Sequence, residues 1–188
     1  MSQLSNESGF KDEVYISVDI EASGPIPSKF SMLSIGACVV GDVEKNFYAE
    51  MKPINDSFIP EAMKVSGLTL ESLRTNGIDP TDVMNKLSSW VKKVSNHKRA
   101  VLVGFNAPFD WQFVNWYFHV YTGDNPFGIS AIDIKAYIMG ATHSDWWQTS
   151  SSQLPEWLQV ENKKKHNALS DATAQAIIFE RLLRGKKY

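Results

Sequence analysis

Between Val14 and Glu21 the chain alternates without a break. Val14, Ile16, Val18 and Ile20 fall on one side, and Tyr15, Ser17, Asp19 and Glu21 on the other. That is the period of a β-strand with one apolar face, and every later element must pack around it. Ser31–Val40 is a second strand, largely apolar on both faces and so central. Lys45–Lys52 gives a third, separated from the second by only about four residues around Gly41-Asp42, too few for a crossover, so the pair forms an antiparallel hairpin. Asp79 as N-cap and Pro80 in the first turn start a helix over Pro80–Asn96, with Val83, Leu87, Val91 and Val94 as its apolar stripe. Ala100–Phe105 is a short apolar run, the mark of a strand buried on both faces. Asn106 is read as the cap of a helix over Pro108–Val120. A fifth strand is expected near Ser130–Ala136, although Asp133–Gly140 reads equally well as helix. Residues 141–153 read as loop and Ala168–Arg184 as the last helix. This order predicts an α/β fold with a mixed five-stranded sheet, its first three strands antiparallel, flanked by helices.

A chain of 188 residues, 43% of them hydrophobic, has room for one substantial core. The expectation is a flexible leader over residues 1–12, polar and aperiodic, and a single domain over residues 13–188. The one cysteine, Cys38, lies inside an apolar run, which excludes a disulfide framework and suits a reducing cytoplasm. No run approaches the roughly 18 apolar residues of a membrane span, so no membrane partner is expected. The net charge of −2 advertises no polyanion partner by itself.

Acidic residues carry the chemistry. Asp19 and Glu21 stand two apart on the polar face of the first strand, their Cα atoms separated by roughly 6–7 Å. A solvated strand face explains such a pair as well as a site does. However, the strand's other face is apolar, the next strand is strongly hydrophobic, and Asp and Glu are poor strand formers. A central strand with two carboxylates on one face calls for a partner cation. Asp110 follows Gly104-Phe105-Asn106-Ala107-Pro108-Phe109, where a buried strand gives way to a helix. There it is either a ligand at the carboxyl end of a parallel strand or a helix-dipole partner worth about 0.3–1 kcal/mol. Asp171 lies near the start of the last helix, and His166 precedes it by five residues. Within one helix that spacing leaves two side chains about 140° apart, so His166 must sit in the loop and reach back, with Asn167 as N-cap. Four carboxylates with few histidines and no usable cysteine point to Mg²⁺ or Mn²⁺ rather than Zn²⁺, in number suited to two ions per site.

Three segments, Asp19-Ile20-Glu21-Ala22-Ser23-Gly24, Asn106-Ala107-Pro108-Phe109-Asp110 and His166 with Asp171, resemble in order the three motifs of the DEDDh branch of DnaQ-like 3′→5′ exonucleases, the RNase T and oligoribonuclease type. Pro60-Glu61-Ala62 through Gly67-Leu68-Thr69 resembles the family's connector after the third strand. The resemblance spans residues 14–183. It implies an RNase H-like fold and hydrolysis of single-stranded or frayed 3′ ends of DNA or RNA to nucleoside 5′-monophosphates. It further implies Asp19, Glu21, Asp110 and Asp171 as ligands of two metal ions and His166 as general base. Phe105 stands where many members of the family carry His before the Asn, and Ser66 where several polymerase-proofreading relatives carry His. The same fold also hosts endonucleases of RNase H type and non-catalytic nucleic-acid-binding modules. A homodimer is left open.

A single-stranded 3′ end needs surfaces on which to stack. Met32 and Leu33 are candidates to wedge the terminal base, with Phe109 and Trp111 beside them; core packing explains all four as well. Ala22, Ser23 and Asn106 are further candidate substrate contacts from the motifs. The Trp146-Trp147 pair would touch substrate, touch a partner subunit or cover the core. Lys165, with Lys163 and Lys164, is a candidate phosphate contact or a solvated charge run. Lys92, Lys93, Lys98 and Arg99 form a second basic cluster open to the same two readings.

Overall fold

The computed structural model describes residues 12–162 and 166–185. The expected leader therefore lies outside the described residues, except for Asp12, whose carbonyl accepts the Arg99 N–H at 3.0 Å. Five strands form one sheet: β1 (Glu13–Ala22), β2 (Met32–Val39), β3 (Asp42–Glu50), β4 (Arg99–Gly104) and β5 (Ala131–Asp133), in the order β3-β2-β1-β4-β5. β1, β2 and β3 pair antiparallel, and β4 and β5 add in parallel to β1. This is the mixed sheet that the short first connection and the later helical crossovers predict. β2 is buried along its length up to Val39, as a strand apolar on both faces must be.

The two sides of β1 serve two separate cores. Ile16, Val18 and Ile20 pack with α3 (Pro80–Ser95) and α4 (Ala107–Tyr121), through Val83, Leu87, Val91, Phe113 and Tyr117. On the other side Val103 and Tyr15 join Ile134 and Ile138 of α5 (Ile134–Thr142) and Phe179 and Leu182 of α6 (Ala168–Arg184). The face that bears Asp19 and Glu21 thus packs against a helix, and the two carboxylates themselves stay half-buried.

Gly36 sets how close that helix comes. It pairs with Asp19 across the β1–β2 ladder, and directly opposed residues share a face of the sheet. A Cβ on Gly36 would lie 2.3 Å from the carbonyl carbon of Ala168 and 2.2 Å from the nitrogen of Leu169. Only a residue without a side chain lets the first turn of α6 rest on the strand beside Asp19.

Several local expectations change. Two short helices, α1 (Pro60–Ser66) and α2 (Leu70–Asn76), occupy the connector, where no apolar periodicity announces them. Thr69 caps the second by accepting from Ser72 N–H. The fifth strand and the competing helix both exist in sequence. β5 stops at Asp133, whose side chain accepts from Ala136 N–H and starts α5. Asn106 does not cap α4 with its side chain: it adopts a left-handed backbone, φ 69° and ψ 46°, and Asp133 Oδ1 accepts the Ala107 N–H at 2.9 Å instead. The loop 141–153 includes the end of α5 and a 3-10 turn over Trp146–Thr149. No helix among the described residues is long and apolar enough to cross a membrane.

Candidate active site

Four backbone devices bring the acidic residues to one place. Asp19 and Glu21 are delivered by the alternation of β1, with Glu21 at the bulge where pairing to β2 shifts. Asp110 sits in the first turn of α4, just past the carboxyl end of β4. It is almost wholly buried, and its Oδ1 accepts the Ile20 N–H at 3.0 Å. That bond ties α4 to β1 at the residue between Asp19 and Glu21. Asp171 lies in the first turn of α6, capped by Asn167, whose side chain accepts from Ser170 N–H. His166 precedes the cap with a left-handed backbone, φ 63°. Its N–H donates to Asp171 Oδ2 at 2.8 Å, so the loop bends back toward the helix as the spacing demands.

All five residues line one cleft of about 550 Å³. Ligand atoms of Glu21, His166 and Asp171 lie within 4.8 Å of one another. Burial raises the pKa of Asp19 well above the usual carboxylate range, reinforced by the negative charges of Asp110, Asp171 and Glu21. Burial, aided by Asp171, pushes Glu21 up to about 7. Burial lifts Asp110 to about 8, against the stabilising Ile20 N–H. Asp171 is also raised by burial, opposed by its bonds from His166 and Asn162. Among the described residues that line the cleft there is no Lys or Arg. Of the described residues in the cleft, only His166 offsets any of this negative charge, and only at Asp171. Hard oxygen donors in that number fit divalent cations such as Mg²⁺ or Mn²⁺.

Two residues that sequence reasoning missed hold the carboxylates in place. Gln175, one turn along α6 from Asp171, donates from Nε2 to Asp19 Oδ1 at 2.6 Å and accepts the Phe105 N–H on Oε1 at 3.0 Å. It links α6, β1 and the end of β4. Asn162 donates from Nδ2 to Asp171 Oδ1 at 2.5 Å and accepts from the Ser170 hydroxyl. The helical spacing of Gln175 from Asp171 was a usable signal, whereas Asn162 lies in irregular chain that carries none. Ser151, Ser152 and Val160 also reach the cleft from the segment before the last motif.

The candidate substrate contacts divide. Asn106 and Phe109 line the cleft, and so does Phe105. Met32 and Leu33 do not: both have 0% exposure, and the Met32 N–H donates to the Tyr117 hydroxyl. The loop after β1 folds back, with Ser23 N–H bonded to the Ser31 carbonyl, so β2 starts inside the core rather than at the cleft rim. Ala22 and Ser23 are also buried. The Ser23 hydroxyl accepts from Ser31 N–H and donates to the Ser57 carbonyl, which makes it an internal brace. Trp111 packs partly buried against the core. Lys165, with Lys163 and Lys164, lies outside the described residues. Lys92, Lys93, Lys98 and Arg99 cluster where α3 ends and β4 begins, at the opposite end of β4 from the cleft.

Residues 16–179 match the family model of the RNase T exonucleases. The chain is 51% identical over 168 residues to the 3′-5′ DNA exonuclease Cap18 of Escherichia coli, covering 89% of this chain and 90% of that protein. Among solved structures, a 3′-exonuclease described in 3′-end specific recognition of histone mRNA stem-loop superimposes with a TM-score of 0.79 at 17% identity, over 96% of this chain and 67% of that one. Exonuclease I of E. coli, in complex with a dT13 oligonucleotide, superimposes with a TM-score of 0.63 at 16% identity, over 89% of this chain and 40% of that one. At these identities the two structures establish the shared fold.

Proposed function

The chain belongs to the RNase T exonuclease family as a DEDDh-type 3′→5′ exonuclease, and on that premise we propose its substrate and its chemistry. It shortens single-stranded or frayed 3′ ends of DNA, one nucleoside 5′-monophosphate at a time. The choice of DNA rests on the relative of 51% identity, named a 3′-5′ DNA exonuclease. The observation that carries the chemistry is the convergence of four carboxylates with raised pKa values and one imidazole in a single cleft.

Asp19, Glu21, Asp110 and Asp171 would hold two divalent cations, Mg²⁺ or Mn²⁺. Bound there, such ions supply charge neutralisation at the scissile phosphate and acidify a water. The chain's own residues do the rest. His166 takes a proton from the water whose oxygen bonds to phosphorus, a base role suited to an imidazole. The phosphorus–3′-oxygen bond breaks, and the leaving oxygen takes a proton from solvent to become the new 3′ hydroxyl. The bond from His166 N–H to Asp171 fixes the loop that carries the ring. Gln175 holds the Asp19 carboxylate in one orientation. Phe105 and Phe109 give the cleft apolar walls against which the terminal nucleoside rests. We place the protein in the cytoplasm, a reading that the lone buried thiol of Cys38 suits.

Matched 3′-labelled DNA and RNA oligomers, with a circular single strand as control, test the proposal in the presence of Mg²⁺ or Mn²⁺. The expected result is stepwise release of mononucleotides from DNA, none from the circle and none in EDTA. Full activity in EDTA, or cleavage of the circle, overturns it.

A further inference from the structure

The segment between α5 and α6 buries the wrong residues for a mere cover. Thr149, Leu154 and Leu158 point inward and are essentially buried, while Trp146 and Trp147 are 50% and 63% exposed. A chain that buried its largest apolar groups first would do the reverse. Nor is the exposure a sign of looseness. Asp145 and Gln148 close a capping box around the 3-10 turn, the Thr149 hydroxyl donates to the Trp146 carbonyl at 2.7 Å, and the Ser150 hydroxyl donates to the Trp147 carbonyl. Arg181 of α6 further fixes the segment by donating to the carbonyls of Trp157 and Gln159.

We propose that Trp146 and Trp147 form a stacking platform for the bases of the single strand upstream of the scissile phosphate. This rests on the exonuclease reading and adds a substrate subsite to it. Continuity with the cleft argues for that occupant. Ser151 and Ser152, four and five residues beyond Trp147, line the catalytic cleft and also a smaller pocket of about 180 Å³ that adjoins it. Four residues of chain reach at most roughly 14 Å, about four nucleotides at the ~3.4 Å rise of a stacked strand. Charge argues the same way, because the Lys135 ammonium sits 4.2 Å from the centre of the Trp146 ring. A cation held beside exposed aromatic faces is the combination with which proteins grip single strands without reading sequence.

The test compares wild-type protein with Trp147→Ala and Trp147→Phe on two substrates, a long oligothymidylate and a thymidine dinucleotide, which has a single nucleoside upstream of the scissile phosphate. Trp147→Ala should raise KM for the long substrate about tenfold with kcat unchanged, and leave the dinucleotide unaffected. Trp147→Phe should restore most of the affinity. Equal loss on both substrates, or no loss on either, overturns the platform. So does a wild-type dimer that Trp147→Ala dissociates, since the turn is then a contact between copies. If wild-type protein degrades neither substrate, it is the exonuclease reading that has failed. Quenching of intrinsic tryptophan fluorescence by oligothymidylate in EDTA, diminished in Trp147→Ala, then still decides whether the platform binds a strand.

Discussion

Replacing Asp19 by Asn removes one of four carboxylates that burial and mutual repulsion already disfavour as anions. Activity should therefore disappear while the metal-free protein at pH 8 melts no lower than wild type, a pairing that assay and thermal unfolding read side by side. A lower melting temperature in EDTA would mean that the Asp19 carboxylate stabilises the fold without metal, through its bond from Gln175. His166→Ala differs in kind: its backbone bond to Asp171 survives, so turnover should fall by about 10²–10⁴-fold with Mn²⁺ affinity by calorimetry close to wild type. Gln175→Leu leaves the Phe105 N–H and one oxygen of Asp19 without the partner they now share. The Phe105 N–H is part-buried, so losing its partner should cost no more than about 1 kcal/mol by urea denaturation, and kcat should drop because Asp19 loses its fixed orientation.

At the scale of elements, the site exists because the first turn of α6 rests against β2. Gly36 permits that contact, and a Cβ there would sit 2.4 Å from the Ala168 carbonyl oxygen. Gly36→Ala must push the helix outward, at a cost on the order of 1–3 kcal/mol for overpacking. Because Asp171 and Gln175 ride on that helix, activity should fall more than stability explains, with weaker Mn²⁺ binding as the signature. Unchanged metal affinity would show that α6 absorbs the methyl by local rotation.

At the scale of the molecule, the acidic cluster links pH, metal and stability. Glu21 at about 7 and Asp110 at about 8 lie above the ordinary carboxylate value near 4. A carboxyl whose pKa is higher folded than unfolded favours the fold fully below the unfolded value, and loses that contribution as pH rises through the folded one. The metal-free protein should thus lose stability between about pH 4 and pH 8 from these groups. Cations compete with those protons, so the rise in Tm produced by Mn²⁺ should grow from pH 6 to pH 8. A metal-induced shift independent of pH would contradict the pKa directions.

Much of the fold and of the site is legible in the sequence, for local reasons. The alternation of Val14–Glu21 specifies a strand with two carboxylates on one face, since side-chain direction in a strand depends only on parity. The ends of α6 follow from Asn167 and the apolar stripe, and the sharp bend at His166 from the spacing to Asp171. Local pattern could not say that α6 would pack on the polar face of β1, nor that Met32 and Leu33 would be fully buried instead of wedging a base. Nor could it nominate Asn162, which lies in irregular chain, or say that Gln175, one turn from Asp171, would reach Asp19 and Phe105, or leave Trp146 and Trp147 outside while Thr149 goes in. Sequence alone determined which carboxylates share a strand face and where α3 and α6 begin, because those depend on neighbours a few residues away. Tertiary structure alone decided that four of them meet in one cleft, because their partial burial and mutual approach are properties of the packing of α4 and α6 on β1.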